Sequence, residues 1–508
     1  MKRLLPLILI VFSAALLAIA SSANSKPVLK GTDPEYKTQW TKVDSLERKG
    51  LYRMALAEVD LIFDQASKEN NHTQVIKAVL YELKYNAYLE EDDYVLGIYR
   101  LDELITKAPS PSKEILHSLT AEVYWGYYSA NSWKFADRTN VVEADLKDIR
   151  TWDLKRIAEK IRYHYLMSLM NSESSKSSSI TDYSAIASYT NETTELRPTL
   201  FDFLGHRALD FFKANIFALQ GPAETFVIED ENYFGSNSTF LNIKPITNDS
   251  LNTSFFAVRL FQELTRFHSE KNNLPALFAL ELERIKYMQY KSVLPTKDDL
   301  YYESLHRLTT AYDQIDYVSE AWYELALVHS GRGDTYNAFA DTTKRWDKKI
   351  AVEICDKTIA KYKNAFGAQQ CAALKSTIEQ KFMSVNGEEA ISPNQKSKVL
   401  LNYKNVNKLY MKVVPYDYKK YSRQDYGKFI AEIRALKGVH TKELNLTDPR
   451  DFQNHTTEIL VPELIKGFYF VIVSSDPTFK DEKGAFAYMP LWVSTITYQS
   501  RTLNDANQ

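Results

Sequence analysis

Near residue 385 the apolar residues of this 508-residue chain change their spacing, and no single regular structure satisfies both halves. Before that point they recur every three to four positions, as on one face of a helix. After it they alternate, as in a strand. The expected fold is therefore α+β and multidomain, with a helical region over 34–385 and a strand-rich module over 398–501. The polar stretch 386–397, with Gly387 and Pro393, reads as the linker. In the helical half, "YKTQWTKVDSLERKGLYRMALAEVDLIFDQASKE" gives two helices broken at Gly50. Trp40, Val43 and Leu46 stripe the first; Leu56, Val59, Ile62 and Phe63 stripe the second. Neither stripe can be buried alone, so the two must pack as a hairpin.

Similar pairs follow. Leu116, Leu119, Val123 and Tyr127 share one helical face, as do Leu154, Ile157, Ile161 and Tyr165. Pro109 and Pro111 mark a helix stop. "SESSKSSS" reads as an exposed loop, and "FVIEDENYFGSNSTFLNIKPITNDSLNTS" as an insertion of loops and short strands. Glycine (15) and proline (16) are scarce, which favours long helices. Later, Trp322, Leu325, Ala326 and Gly331 are followed by Ala351, Ile354, Ile359, Tyr362 and Ala368. This aromatic helix, glycine turn and alanine-spaced helix resemble tetratricopeptide repeats at irregular spacing, and imply a TPR-like α-solenoid. In the strand half, Leu409, Met411 and Val413 face one way and Tyr410, Lys412 and Val414 the other. Two strands are expected around Pro462 and Gly467, and one or two more before Arg501. "SRQDYGKFIAEIRALKG" between them is more helical or irregular. Several short strands in this span predict an immunoglobulin-like β-sandwich.

The first 23 residues read as a secretory leader, with Lys2 and Arg3 before an uncharged apolar run and small residues at the cleavage site; a retained membrane anchor is the alternative. The apolar run falls short of the roughly 20 residues of a membrane span. No cysteine lies near the cleavage point, so the protein is expected to be exported, not a lipoprotein, and without a membrane span after cleavage. Periplasm or cell envelope is the expected location. With 63 basic and 65 acidic residues, nothing in the charge points to nucleic acid. The two cysteines, Cys355 and Cys371, exclude a disulfide scaffold but leave one structural bridge open, alongside two half-buried thiols. They are expected to face each other on antiparallel helices joined near 364–367.

The densest polar cluster lies in "ELRPTLFDFLGHRALDFF". Thr199 and Asp202 fit a capping box. Asp202, His206 and Asp210 are four residues apart on one helical face, a stripe that could hold a metal. The plainer reading is an amphipathic helix whose charges bond to its neighbours, beside the apolar Leu200, Phe201, Leu204, Leu209 and Phe212. His164 reads as packing between Tyr163 and Tyr165. GxSxG, Walker, dinucleotide and CxxC patterns do not occur, so no catalytic residue, metal or cofactor is expected.

Several stretches taken in order resemble the N-terminal region of the alpha-2-macroglobulin-like proteins of the Bacteroidota. They are "WTKVDSLERKGLYRMALAEVDLIF", "ILHSLTAEVYWGYY", "DIRTWDL", "LRPTLFDFLGHRALDFF", "KSVLPTKDDLYYESL" and "LLNYKNVNKLYMKVV". The resemblance implies a leading helical region and a first macroglobulin-like sandwich of an endopeptidase inhibitor that traps proteases. It also implies that proteases or envelope proteins are met through bait and thioester domains not included in these residues. Cys355 is followed by Asp356-Lys357 and Cys371 by Ala372-Ala373, so neither carries the thioester motif of that family. The expectation is a non-enzymatic scaffold heading such a protein, with a stand-alone helical-repeat adaptor for a protein or glycan as the alternative.

Overall fold

The computed structural model describes residues 35–89, 93–136, 148–214, 226–421, 426–480 and 484–496. The expected leader, and the last residues of the expected strand module, lie outside them. The chain divides into two compact units between Val318 and Ser319.

The first unit is helical. It comprises α1 (Lys37–Arg48), α2 (Tyr52–Lys68), α3 (His72–Leu89), α4 (Asp93–Lys107), α5 (Ser112–Ala136), α6 (Leu154–Met167) and α7 (Ser172–Ser177). It continues through α8 (Asn191–Leu196), α9 (Leu200–Ala214), α10 (Asn237–Asn242), α11 (Thr253–Lys271), α12 (Leu274–Lys291) and α13 (Lys297–Ala311). From α1 to α6 each helix packs on the next, and α9, α11, α12 and α13 continue in the same way.

The first hairpin turns where glycine was expected to break it. Gly50 takes φ +72°, and the amides of Gly50 and Leu51 reach back to the carbonyls of Glu47 and Leu46 at 2.8 and 3.0 Å. That is a Schellman ending, which needs a left-handed residue. Trp40, Val43 and Leu46 then meet Val59, Ile62 and Tyr85 in one apolar cluster.

Two expectations fail locally. "SESSKSSS" forms the short helix α7 instead of an exposed loop. Ser175 is buried there, and the hydroxyls of Ser175 and Ser177 donate to carbonyls of their own turn at 3.0 and 2.9 Å. The insertion 226–254 carries no strand among its described residues. It holds a 3-10 turn at Glu231–Phe234, then α10 and the start of α11. Its carbonyls bond to side chains instead of to a second strand. Arg284, fully buried on α12, donates to the carbonyls of Tyr233 and, at 2.8 Å, Gly235. Arg307 on α13 reaches the carbonyls of Phe234 and Gly235 at 2.9 and 3.1 Å, and Ser304 that of Phe234 at 2.9 Å.

The second unit joins three helices to two sheets. The helices are α14 (Ser319–Asp334), α15 (Asp347–Lys361) and α16 (Phe366–Glu379). The strands are β1 (Phe382–Gly387), β2 (Ala390–Ile391), β3 (Ser397–Lys404), β4 (Lys408–Pro415), β5 (His440–Asn445), β6 (His455–Val461), β7 (Gly467–Ser474) and β8 (Phe486–Val493). Helices α17 (Tyr418–Tyr421) and α18 (Tyr426–Ala435) interrupt them. One sheet runs β1-β3-β6 and the other β2-β8-β7-β4-β5, antiparallel except where β2 meets β8.

The two sheets share one core, in which Val399 and Leu401 meet Leu409, Met411, Val413, Val471 and Val473. The opposite face of the larger sheet is covered too. Val414, Phe468, Phe470 and Ile472 pack against Phe429 and Ile433 of α18. A strand buried on both faces loses its polar alternation, which explains "GFYFVIVS" in β7. Lys412 faces α18, and its ammonium donates to the carbonyls of Arg434 and Leu436 at 2.8 Å each. It thereby caps the end of the helix with positive charge.

The compact division is not where the change of spacing suggested. The 386–397 stretch, expected as a linker, holds the end of β1, all of β2 and the start of β3. Helices α14–α16 belong with the sheets. The reason is the loop before β6. Asp451 is fully buried and takes hydrogen bonds from Arg345 Nε at 2.8 Å, His455 Nε2 at 2.9 Å and the Gln453 amide at 3.1 Å. Gln453 Nε2 donates to the carbonyls of Gly333 and Arg345 at 3.1 and 3.2 Å. Burial alone would raise the Asp451 carboxyl; these bonds hold it below its usual value.

Gly367 at the start of α16 lies against the backbone of Ser319 and Glu320, where a Cβ would overlap the main chain. Gly367→Ala is therefore expected to cost the second unit about 1–3 kcal/mol. A lower urea midpoint at unchanged helical circular dichroism would show this, and an unchanged midpoint would contradict the close approach.

Candidate functional site

The capping box on α9 forms as its residues predict. Asp202 Oδ2 accepts from the Thr199 amide at 3.0 Å and its hydroxyl at 2.8 Å, and Thr199 Oγ1 accepts the Asp202 amide at 3.2 Å. The apolar side of α9, from Leu200 to Phe212, is buried.

The polar stripe does not converge. The second oxygen of Asp202 meets His268 Nε2 on α11 at 2.6 Å, and both side chains are buried. His206 Nδ1 bonds the Asp202 carbonyl at 2.9 Å, which turns Nε2 toward Glu283 on α12 at 4.0 Å. Asp210 is exposed and pairs with Lys213 at 3.0 Å. Arg207 is held by Glu122 and, at 3.0 Å, by Ser118 of α5. Thus three helices take up the charges of α9. A cavity of about 20 Å³ beside Arg197, His206, Arg207 and Asp210 has room for about one water. No group of three or more His, Cys, Asp or Glu side chains that could hold a metal occurs among the described residues.

Burial lowers His206 to about 4, with Arg197 adding to the effect against Glu283 and Asp202. Burial would raise Glu283, but Lys213, His206 and Arg197 hold it at about 2. At neutral pH His206 is neutral and Glu283 is ionised, so the pair is a fixed anchor between helices.

His164 is buried, as its place between two tyrosines suggested, but it also has a partner that was not foreseen. Its Nδ1 lies 3.0 Å from His117 Nδ1 on α5, with the rings of Tyr124 and Tyr163 alongside. Burial lowers His117 to about 4 and His164 to about 3. Cys355 on α15 and Cys371 on α16 do come together. Both are fully buried, and both are free thiols in this structure.

A groove of about 470 Å³ on the other side of α9 was not foreseen. Its floor is Phe201 and Phe212 of α9 with Leu260 and Phe267 of α11. Leu166 and Met170 edge it from the α6 side, and both are exposed. Arg259, Glu263, Arg266 and Glu270 run along α11 as its charged rim. Lys176 closes one end, with its ammonium 5.2 Å from the Phe201 ring and 5.9 Å from the Phe267 ring. The available signal was the "LMSLM" run ending α6, whose leucines and methionines exceed one buried stripe. The helices that form the groove are too far apart in sequence for that signal to show a site.

No helix among the described residues is long and apolar enough to cross a membrane. The chain matches no protein-family model and no curated protein sequence.

The buried histidines give the first unit a pH dependence of definite sign. Their folded pKa values lie below the unfolded value near 6.5, so the unfolded chain binds more protons between these limits. Stability is full above about 6.5 and falls as the pH drops toward 4 and 3. The loss by pH 5 is on the order of 2 kcal/mol per histidine. Replacing both with phenylalanine (H117F/H164F) is expected to flatten the fall in urea midpoint between pH 7.5 and 5. An equally steep fall in the variant would assign the acid sensitivity elsewhere.

Proposed function

We propose that this chain is a non-enzymatic exported scaffold, the leading part of an alpha-2-macroglobulin-like protease trap. Its helical region is read as an irregular TPR-like solenoid, and its paired sheets as a first macroglobulin-like sandwich of the immunoglobulin type. The observation that carries the reading is the order of parts. A long helical region leads into two sheets on one core, as the resemblance implies for the head of such an inhibitor. The polar stripe of α9 supports it, since Asp202, His206 and Arg207 are taken up in packing between helices while Asp210 stays exposed beside Lys213. Neither cysteine heads a thioester motif, so bait cleavage and covalent capture fall to residues outside this sequence.

The groove beside α9 favours a second reading, a stand-alone adaptor whose helical unit binds a protein or glycan. Its volume lies within the range of about 300–1,000 Å³ usual for ligand sites, with an apolar floor and a charged rim.

The size of the native product separates the two. An antibody to this segment is expected to detect a band far larger than 58.6 kDa in the producing cells. A band at that mass, less the leader, would replace the trap with the adaptor. In that case the double variant Leu166→Glu/Met170→Glu, which changes two exposed side chains, should retain its thermal midpoint while losing its ligand. Unchanged binding would place the adaptor's site elsewhere.

A further inference from the structure

The chain has two cysteines, and the fold of the second unit brings both into one buried cluster. Cys355 lies on α15 and Cys371 on α16, two helices that pack directly on one another. Both side chains are fully buried in one apolar cluster with Ala326, Ala351, Val352 and Ile378. A disulfide needs its two Cα atoms within roughly 4.4–6.8 Å, a span that helices in direct contact can meet. The two thiols hydrogen-bond each other, and Thr358 lies within hydrogen-bond reach of Cys371. A thiol is a weak donor, so this contact alone gives little stability to the cluster.

We propose that Cys355 and Cys371 are the two halves of a buried disulfide staple, closed by exchange with an external disulfide. In the first step the thiolate of one cysteine attacks a sulfur of the external disulfide. This forms a mixed disulfide and releases one external thiol. In the second step the other cysteine, as thiolate, attacks the protein sulfur of the mixed disulfide and releases the second external thiol. Two protein thiols are oxidised, one external disulfide is reduced to two thiols, and the two protons pass to those thiols.

The structure also sets the timing. The Cys355 thiol is pushed up, first by its bond to Cys371 and then by burial. With neither sulfur exposed, attack on an external disulfide requires the α15–α16 pair to be open, during folding or local unfolding. Once closed, the bridge would be sealed from reductants by the same cluster. The staple rests on the proposed export only for its oxidising surroundings.

The test uses the full chain, reduced with dithiothreitol, opened in urea, and returned to buffer with oxidised glutathione. The product is unfolded without reductant and treated with a maleimide. The expected result is no maleimide uptake, a mass about 2 Da below the reduced chain, and a thermal midpoint several degrees higher. Dithiothreitol should reverse all three, and the variant Cys355→Ser/Cys371→Ser should show no response of its midpoint to dithiothreitol. Uptake of two maleimides after oxidation would overturn the staple, as would a chain left with glutathione attached. Protein taken directly from the producing cells separates this from the export reading. Two free thiols there, with closure by glutathione in the tube, would count against export and not against the staple.

Discussion

The first unit depends on one guanidinium that water does not reach. Arg284 is fully buried, and an ionised group there needs hydrogen-bond acceptors and a counter-charge close by; its two terminal nitrogens find acceptors, while Nε has none among the described residues. The Tyr233 and Gly235 carbonyls accept from it, Glu281 lies 3.5 Å away, and the Phe240 ring sits 4.3 Å from its central carbon. Burial still lowers its pKa to about 10. Glu281 is shared, since Arg307 reaches it at 2.9 Å and the Tyr312 hydroxyl at 3.1 Å. This network ties α12 and α13 to the turn at 231–235. A polar insertion can therefore lie against apolar helices without leaving its backbone carbonyls unpaired.

The second unit solves a related problem with an acid. Asp451 brings a loop between strands into the side of a helix pair, and its carboxylate joins Arg345 to His455. Asn405 does the same at the end of α16, where its amide donates to the carbonyls of Ile378 and Gln380 at 2.8 and 3.1 Å. Helices α14–α16 and the sheets are thus joined through polar groups at their margins, while α18 shares an apolar cluster with the larger sheet.

Much of this was legible where local chemistry decides structure. Gly50 had to end α1, because the turn needs a left-handed residue. Leu409, Met411 and Val413 had to share a face, because side chains alternate along a strand. Cys355 and Cys371 came together because both lie on helices joined by a short turn. What escaped depended on partners distant in sequence. Alternation puts Lys412 on the face of β4 opposite Leu409, Met411 and Val413, but it does not show that α18 covers that face and takes a cation at its end. The serines of α7 looked like a loop by composition, but they satisfy their own helix. The compact division at Val318 lies within a continuous helical pattern, since it is set by a loop more than a hundred residues later. The groove beside α9 was hidden for the same reason.

The protonation of the buried groups bears on what such a framework is for. General acid–base catalysis works best with a group whose pKa lies near the working pH. His117 and His206 lie near 4, His164 near 3 and Glu283 near 2. Each keeps one protonation state across the neutral range, so none is poised to exchange a proton there. Burial is the leading cause for all three histidines, and in each case it arises from packing between helices. The same burial that removes these groups from acid–base work makes them selective joints. A neutral imidazole can accept or donate one bond at each nitrogen, and an ionised Glu283 can hold Lys213 and Arg197 at once. A framework built on such joints resists change at neutral pH and loosens in acid. That behaviour is in keeping with the scaffold role proposed for this chain.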